Sequence, residues 1–189
     1  VSADGSTITP FPGVRAELVQ TGAIYTFTRA CDQMVYTFDA AANDQIVAIT
    51  DANGNQITFD YDAQDRLISA AAADGRQLTF TYDNNDHITS ITDPLSRTTI
   101  FGYTNGYLTS VTDPRGQTTY YTYSPATADR PGQLTSIVDA NSHTVVTNHY
   151  NSEGRIDWQE DALGYQTTYS YSDDSFTGER TTTVTDALG

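Results

Sequence analysis

Leu78-Thr79-Phe80-Thr81-Tyr82-Asp83-Asn84-Asn85-Asp86-His87-Ile88-Thr89-Ser90-Ile91-Thr92-Asp93-Pro94 holds one complete structural unit of this 189-residue chain. Leu78, Phe80 and Tyr82 alternate with threonines, which puts the apolar side chains on one face of a strand and the hydroxyls on the other. The polar stretch from Asp83 to His87 lacks apolar residues and reads as a turn. A second apolar segment, Ile88-Thr89-Ser90-Ile91, follows, and Asp93-Pro94 closes it. The unit reads as strand, turn, strand, turn, which is a β-hairpin.

The same pattern recurs along the chain. Ile57, Phe59, Tyr61 precede the Leu78 triplet by 21 residues, and Thr99, Phe101, Tyr103 follow it by 21. Thr119, Tyr121, Tyr123 and Thr167, Tyr169, Tyr171 continue the series. Val146, Asn148, Tyr150 fit with a weaker middle position, and Met34, Tyr36, Phe38 form an earlier member. Periodicity of this length signals a repeat architecture in which no unit can bury its apolar face alone. The second strands read Leu67 to Ala70, Ile88 to Ile91, Leu108 to Val111 and Leu134 to Ile137. Their apolar ends lie three apart, which breaks strict alternation; a bulge or a strong local twist reconciles both ends with one face.

Turn chemistry supports this division. Asp113-Pro114-Arg115-Gly116 places Asp first, Pro second and Gly fourth, the pattern of a type I turn. Asp51-Ala52-Asn53-Gly54, Asp93-Pro94-Leu95-Ser96, Asp139-Ala140-Asn141-Ser142 and Asp161-Ala162-Leu163-Gly164 occupy equivalent places. The opposite turns open with Tyr61-Asp62-Ala63, Tyr82-Asp83-Asn84 and Tyr150-Asn151-Ser152, the last closing with Gly154. Alanines 70–73 are bounded by turn residues and read as strand or loop.

Composition agrees with β-structure and narrows the function. Thirteen tyrosines stand against one Met and one Trp, and aromatic and β-branched residues favour a pleated surface. The formal charge is −15, all nine basic residues are arginines, and no lysine occurs. Nucleic acid and anionic membranes attract clustered cations, so neither is an expected partner. No apolar run approaches the ~20 residues of a membrane-spanning helix. Cys31 is alone, which excludes an internal disulfide and a cysteine cage and suggests a buried, unreactive thiol. The start at Val1 without a charged leader and apolar core, and the stop at Gly189, are expected of a piece of a longer parent.

Tyr61-Asp62-Ala63 with Arg66-Leu67, Tyr82-Asp83 with Ile88-Thr89-Ser90-Ile91-Thr92-Asp93-Pro94-Leu95, and Leu108-Thr109-Ser110-Val111-Thr112-Asp113-Pro114-Arg115-Gly116 resemble the YD repeat. This is the repeat of bacterial RHS proteins, wall-associated toxins, encapsulating subunits of Tc toxins, and teneurins. The resemblance implies an all-β fold of repeated β-hairpins in a long curved antiparallel ribbon, a strip of a YD/RHS β-shell. It also implies a domain organisation: residues 1–22 form an N-terminal segment that could be a plug, strand or linker, and residues 23–189 hold about six to seven repeats, truncated at both ends. By the same analogy the chain is secreted or on the bacterial cell surface. Its expected partners are the remaining repeats and the C-terminal domain of the same parent chain, with a cell-surface protein or glycan as a further partner, and with no nucleic acid and no membrane insertion.

The expected function is structural, a part of a β-shell that encapsulates a C-terminal toxin domain. The alternative is an extracellular adhesion module without cargo. Residue chemistry yields no enzyme, no catalytic residue, no cofactor and no metal site. His87, His143 and His149 lack ligand spacing; on a continuous strand His143 and His149 would lie about 20 Å apart. The carboxylate pairs Asp60 with Asp62, Asp83 with Asp86, and Asp173 with Asp174 fall at repeating turn positions, where Asp caps backbone donors. Asp51-Ala52-Asn53-Gly54-Asn55 has part of a calcium-loop spacing, with its glycine too early. Asp113-Pro114-Arg115-Gly116 approaches the family's Asp-Pro-x-Gly-Leu self-cleavage site, but Gln117 replaces the leucine. Residues 124–132, with Pro125 and Pro131, read as an exposed insertion. Ser172-Asp173-Asp174-Ser175 replaces a tyrosine-aspartate turn and is expected to lengthen that tip.

Overall fold

The computed structural model describes residues 7–8, 15–127, 130–173 and 177–187, in two compact units, Val1–Thr98 and Thr99–Gly189. The first unit contains β1 (Thr7–Ile8), β2 (Ala16–Thr21), β3 (Ile24–Arg29), β4 (Met34–Asp39), β5 (Gln45–Thr50), β6 (Gln56–Tyr61), β7 (Leu67–Ala72), β8 (Gln77–Tyr82) and β9 (Ile88–Thr92). Each pairs antiparallel with the next. The second unit repeats this arrangement with β10 (Thr98–Thr104), β11 (Tyr107–Thr112), β12 (Thr118–Tyr123), β13 (Leu134–Val138), β14 (Thr144–Tyr150), β15 (Ile156–Asp161), β16 (Gln166–Asp173) and β17 (Arg180–Thr185). The fold is all-β. Its one helical turn among the described residues is Ala40–Ala42, capped by the Asp39 carboxylate accepting from the Ala41 N–H at 2.9 Å. Within residues 1–22, whose role the sequence left open, Ala16–Thr21 forms β2, which pairs with β3 along its full length.

The register aligns the expected faces. Leu18 lies opposite Phe27, Phe27 opposite Tyr36, Tyr36 opposite Ile49 and Ile49 opposite Ile57, so one apolar row crosses five strands. A parallel row runs Phe59, Ala70, Leu78. In the second unit Tyr121 faces Ile137, which faces Val146. Such cross-strand pairs each contribute roughly 0.2–1 kcal/mol.

The three-residue spacing of the second strands resolves as a bulge. Tyr61 pairs with Leu67 while Asp60 pairs with Ser69, so Ile68 is the extra residue. Thr89, Thr109, Thr135 and Asp157 are extra at the same place in later hairpins. One inserted residue restores both apolar ends to one face and adds local twist.

Little of this surface is deeply buried. Among the described residues only Ala48, at 6% exposure, and Asn148, at 8%, are buried. The aromatic rows are half-buried, and Ile57 and Leu78 are 45% and 41% exposed. A single layer covers each side chain laterally, through its neighbours in the row, and leaves its outer surface open. Cys31 departs from expectation and is exposed. It sits in the turn joining β3 to β4, beyond the last pair Arg29 and Met34, where no neighbouring strand can cover it.

Candidate functional site

The repeated chemistry of this chain is concentrated at the hairpin tips. Nine loops among the described residues share one hydrogen-bond pattern, in which residue i and residue i+4 are joined by backbone and the N–H of i+3 donates to the carbonyl of i. The fourth residue lies at positive φ, as Gly54 (83°), Asp65 (63°), Ser96 (61°) and Gly154 (79°) show. This is a type I turn followed by a left-handed residue and bulge. Eight of the nine open with Asp or Asn, whose Oδ1 accepts from the N–H groups of i+2 and i+4. Asp62 does so for Gln64 at 2.9 Å and Arg66 at 3.0 Å; Asn151 does the same for Glu153 and Arg155, both at 3.0 Å. The exception opens with Ala72.

These bonds explain the recurring aspartates. The Arg66 guanidinium beside Asp62 holds that carboxyl below the usual carboxylate range. The Asn55 amide does so for Asp51, the Arg97 guanidinium for Asp93, and the backbone N–H groups of His87 and His143 for Asp83 and Asp139. Hydrogen bonds to the ionised form are the dominant cause.

A tyrosine spine runs beside the tyrosine-aspartate tips. The hydroxyls of Tyr61, Tyr82 and Tyr171 donate to the carbonyls of Ile46, Leu67 and Ile156, each fifteen residues back, at 2.8, 2.7 and 2.7 Å. Tyr150 reaches Leu134 at 2.8 Å. The β5–β6 ladder stops at Ala48 and Thr58, so the Tyr61 hydroxyl satisfies a carbonyl at the open end of the pair, where the ladder no longer does. In two hairpins the residue before the second strand is an arginine that covers the next tyrosine. Arg66 Cζ lies 4.8 Å from the centre of the Tyr82 ring, and Arg155 Cζ 4.4 Å from that of Tyr171. Arg66 also pairs with Asp62 and Asp86, at 2.7 and 2.9 Å. Tyr, Asp and Arg thus act together to tie one hairpin to the next.

Two tips differ. Thr104 pairs with Tyr107 across a two-residue turn, Asn105-Gly106, with φ of 52° and 82°. This is a type I′ turn, and its Asn-Gly signal is legible in sequence though the repeat pattern conceals it. The adjacent tip is the insertion at 124–132, whose residues 128–129 lie outside the described ones. It is exposed over Pro125 to Thr127 but held down at its end. The Gly132 N–H donates to the Tyr107 hydroxyl at 2.7 Å, the Gln133 amide to the Gly154 carbonyl at 2.6 Å, and Arg130 to the Ser152 carbonyl. The insertion is a strap over its neighbours, which proline content alone did not indicate.

The other candidates stay apart. His143 lies in a turn against Asp139, and His149 lies on β14, stacked on Trp158 at 5.2 Å with Nδ1 2.6 Å from Asp157. Asp60 stands on the hydroxyl face opposite Ser69 while Asp62 caps its turn. Asp86 faces Arg66 and Asp83 caps. In the calcium-like segment, Asp51 Oδ1 accepts from Asn53 and Asn55 N–H, and Oδ2 accepts from the Asn55 amide at 2.7 Å. Asp113 caps an ordinary turn through Arg115 and Gln117. Asp173 ends β16, and Asp174 and Ser175 lie outside the described residues. No group of three or more His, Cys, Asp or Glu among the described residues is placed to hold a metal ion.

The repeat and the fold have known counterparts. The RHS Repeat family matches at residues 42–77, 66–98 and 82–118. Among solved structures, the crystal structure of TcdB2-TccC3-Cdc42 matches with 15% identity and a TM-score of 0.60, over 92% of this chain and 11% of that one. The pore of the Photorhabdus luminescens Tc holotoxin, carrying a TccC3 point mutation, matches with the same values. TcdB2-TccC3-TEV matches with 12% identity and a TM-score of 0.55, over 85% of this chain and 10% of that one. The chain therefore spans only about a tenth of the length of the solved chains it resembles. No curated protein matches it in sequence.

Proposed function

We propose, from the premise that this chain is an RHS/YD-repeat protein, that it is a length of wall in a β-shell enclosing a C-terminal toxin domain of the same parent. The wall reading makes residues 23–189 one repeat array and assigns it no catalytic step. Secretion or display at the bacterial surface belongs to the same reading.

One observation carries it. The aromatic rows are continuous from strand to strand, yet only Ala48 and Asn148 among the described residues are buried. A chain that folds to make a site normally buries its largest side chains around it. Here the hydrogen-bonding groups are spent on joining hairpins: Asp caps tips, Tyr closes ladder ends, and Arg covers Tyr. Lateral ties of this kind make a sheet that can be extended by further repeats, and a closed sheet excludes a protease without any specific bond to its contents.

Limited proteolysis of the full-length parent tests the proposal. The C-terminal domain should resist digestion inside the intact parent and be digested when expressed alone. Equal digestion in both settings would overturn the shell and favour an adhesion module.

A further inference from the structure

We infer that Asn105 is a site of spontaneous covalent modification, converting through a cyclic imide to aspartate and isoaspartate, and that this conversion unfastens the insertion at 124–132. Nine asparagines occur in the chain, and only Asn53 and Asn105 precede a glycine. A following glycine has no Cβ and leaves the attacking backbone nitrogen uncrowded. The two Asn-Gly pairs are therefore the chemical candidates, and their hydrogen bonds separate them.

At the tip that holds Asn53, the Gly54 N–H donates to the Asp51 carbonyl at 3.0 Å and the Asn53 N–H donates to Asp51 Oδ1 at 2.9 Å. The Gly54 nitrogen is thus occupied. Its proton is shielded from the base that must remove it, as a hydrogen bond shields any amide from exchange. Asn105 and Gly106 instead form the two-residue type I′ tip between Thr104 and Tyr107. In such a tip the closing bond falls to the flanking residues. Asn105 and Gly106 are both exposed, and among the described residues neither the Gly106 N–H nor the Asn105 amide has a hydrogen-bond partner. Nucleophile and electrophile are adjacent, unoccupied and open to water.

The reaction needs water alone. The Gly106 nitrogen yields its proton to solvent and bonds to Asn105 Cγ, while the Cγ–Nδ2 bond breaks and the side-chain nitrogen leaves as ammonia. One water then opens the imide. Opening at Cγ gives aspartate, and opening at the α-carbonyl gives isoaspartate, whose main chain runs through Cβ and Cγ and is one carbon longer. Either product adds a negative charge to a chain already at −15.

The added carbon matters at this tip. A type I′ turn closes over two residues of ordinary length, here at φ of 52° and 82°, and a longer main chain displaces Tyr107 from Thr104. Tyr107 is the post to which the insertion is tied. Its hydroxyl accepts from the Gly132 N–H at 2.7 Å, and a Cβ on Gly132 would lie 3.2 Å from Tyr107 Cζ. So close a fit does not survive a shift of the tyrosine.

The experiment ages the whole chain in mildly alkaline buffer and follows each asparagine by peptide mass spectrometry with an isoaspartate-specific methylation assay. Conversion at Asn105 should run about fivefold faster than at Asn53, the protection that one backbone hydrogen bond supplies. In the isoaspartate product the Gly132 amide, followed by NMR, should exchange its hydrogen about fivefold faster, through loss of its bond to Tyr107. Asn105→Gly, which retains a residue suited to positive φ, should show no such acceleration after the same ageing. Conversion at Asn53 as fast as at Asn105, or isoaspartate at 105 with unchanged Gly132 exchange, would overturn the inference and leave the wall proposal untouched.

Discussion

The Tyr82 hydroxyl donates to the carbonyl of Leu67 at 2.7 Å while Arg66, the residue preceding Leu67, lies with its guanidinium 4.8 Å from the centre of the Tyr82 ring. One aromatic side chain is thus held by two consecutive residues of the preceding hairpin, one through its edge and one through its face. The Tyr171 ring stands in the same relation to Ile156 and Arg155.

Tyr82→Phe should therefore cost about 1 kcal/mol, the net value of a hydrogen bond whose acceptor loses its partner. Tyr61→Phe should behave alike. Tyr123→Phe, which loses no such bond, should stay within about 0.5 kcal/mol of the parent. Urea denaturation of the three variants measures this, and equal effects would show that the spine bonds contribute nothing.

Acid should loosen the tips. The carboxyls of Asp51, Asp62, Asp83, Asp93 and Asp139 all titrate below their ordinary value in the folded chain. A folded pKa below the unfolded one means that the stabilisation is complete above the unfolded value, about 3.9. It is lost as pH falls through the folded value. Unfolding midpoints should accordingly be flat near neutrality and decline below about pH 4.

Asn151 supplies a built-in control for that effect, since its amide oxygen caps the same turn without ionising. Asp62→Asn should keep the two backbone bonds, lose the ion pair with Arg66, and shallow the acid limb. Asp62→Ala should lose both and destabilise more. A steeper acid limb in the Asn variant would contradict the capping assignment.

Ser96 sits at φ 61°, where five of its eight counterparts among the described tips are glycines, namely Gly54, Gly75, Gly116, Gly154 and Gly164. A left-handed L-residue costs roughly 1–2 kcal/mol, partly offset by the backbone entropy that glycine brings. Ser96→Gly should raise stability by about 0.5 kcal/mol in thermal or urea unfolding. The reverse change, Gly54→Ser at φ 83°, should lower it.

Much of this fold is legible from residues alone, because its information is local. Alternation at Leu78, Phe80 and Tyr82 assigns a face, and Asp93-Pro94 closes a turn, through forces that act within four or five residues. The bulge is half legible: Leu67 and Ala70 require one, but only the pairing with β6 identifies Ile68 as the extra residue. The tyrosine bonds are not legible. Their acceptors lie fifteen residues back on an adjacent strand, and no local pattern encodes which carbonyl the ladder leaves free. The exposure of Cys31 and the anchoring of the insertion at 124–132 are illegible for a related reason. Exposure and anchoring depend on which neighbours the finished sheet brings alongside, and Tyr107 and Gly154 become neighbours of Gly132 and Gln133 only after the strands between them have paired. Sequence by itself determined the hairpins, their faces and their tips, since backbone sterics and side-chain alternation act at short range. Tertiary structure alone decided how hairpin is tied to hairpin and which carbonyl each spine tyrosine reaches, since hydrogen bonds between strands depend on register.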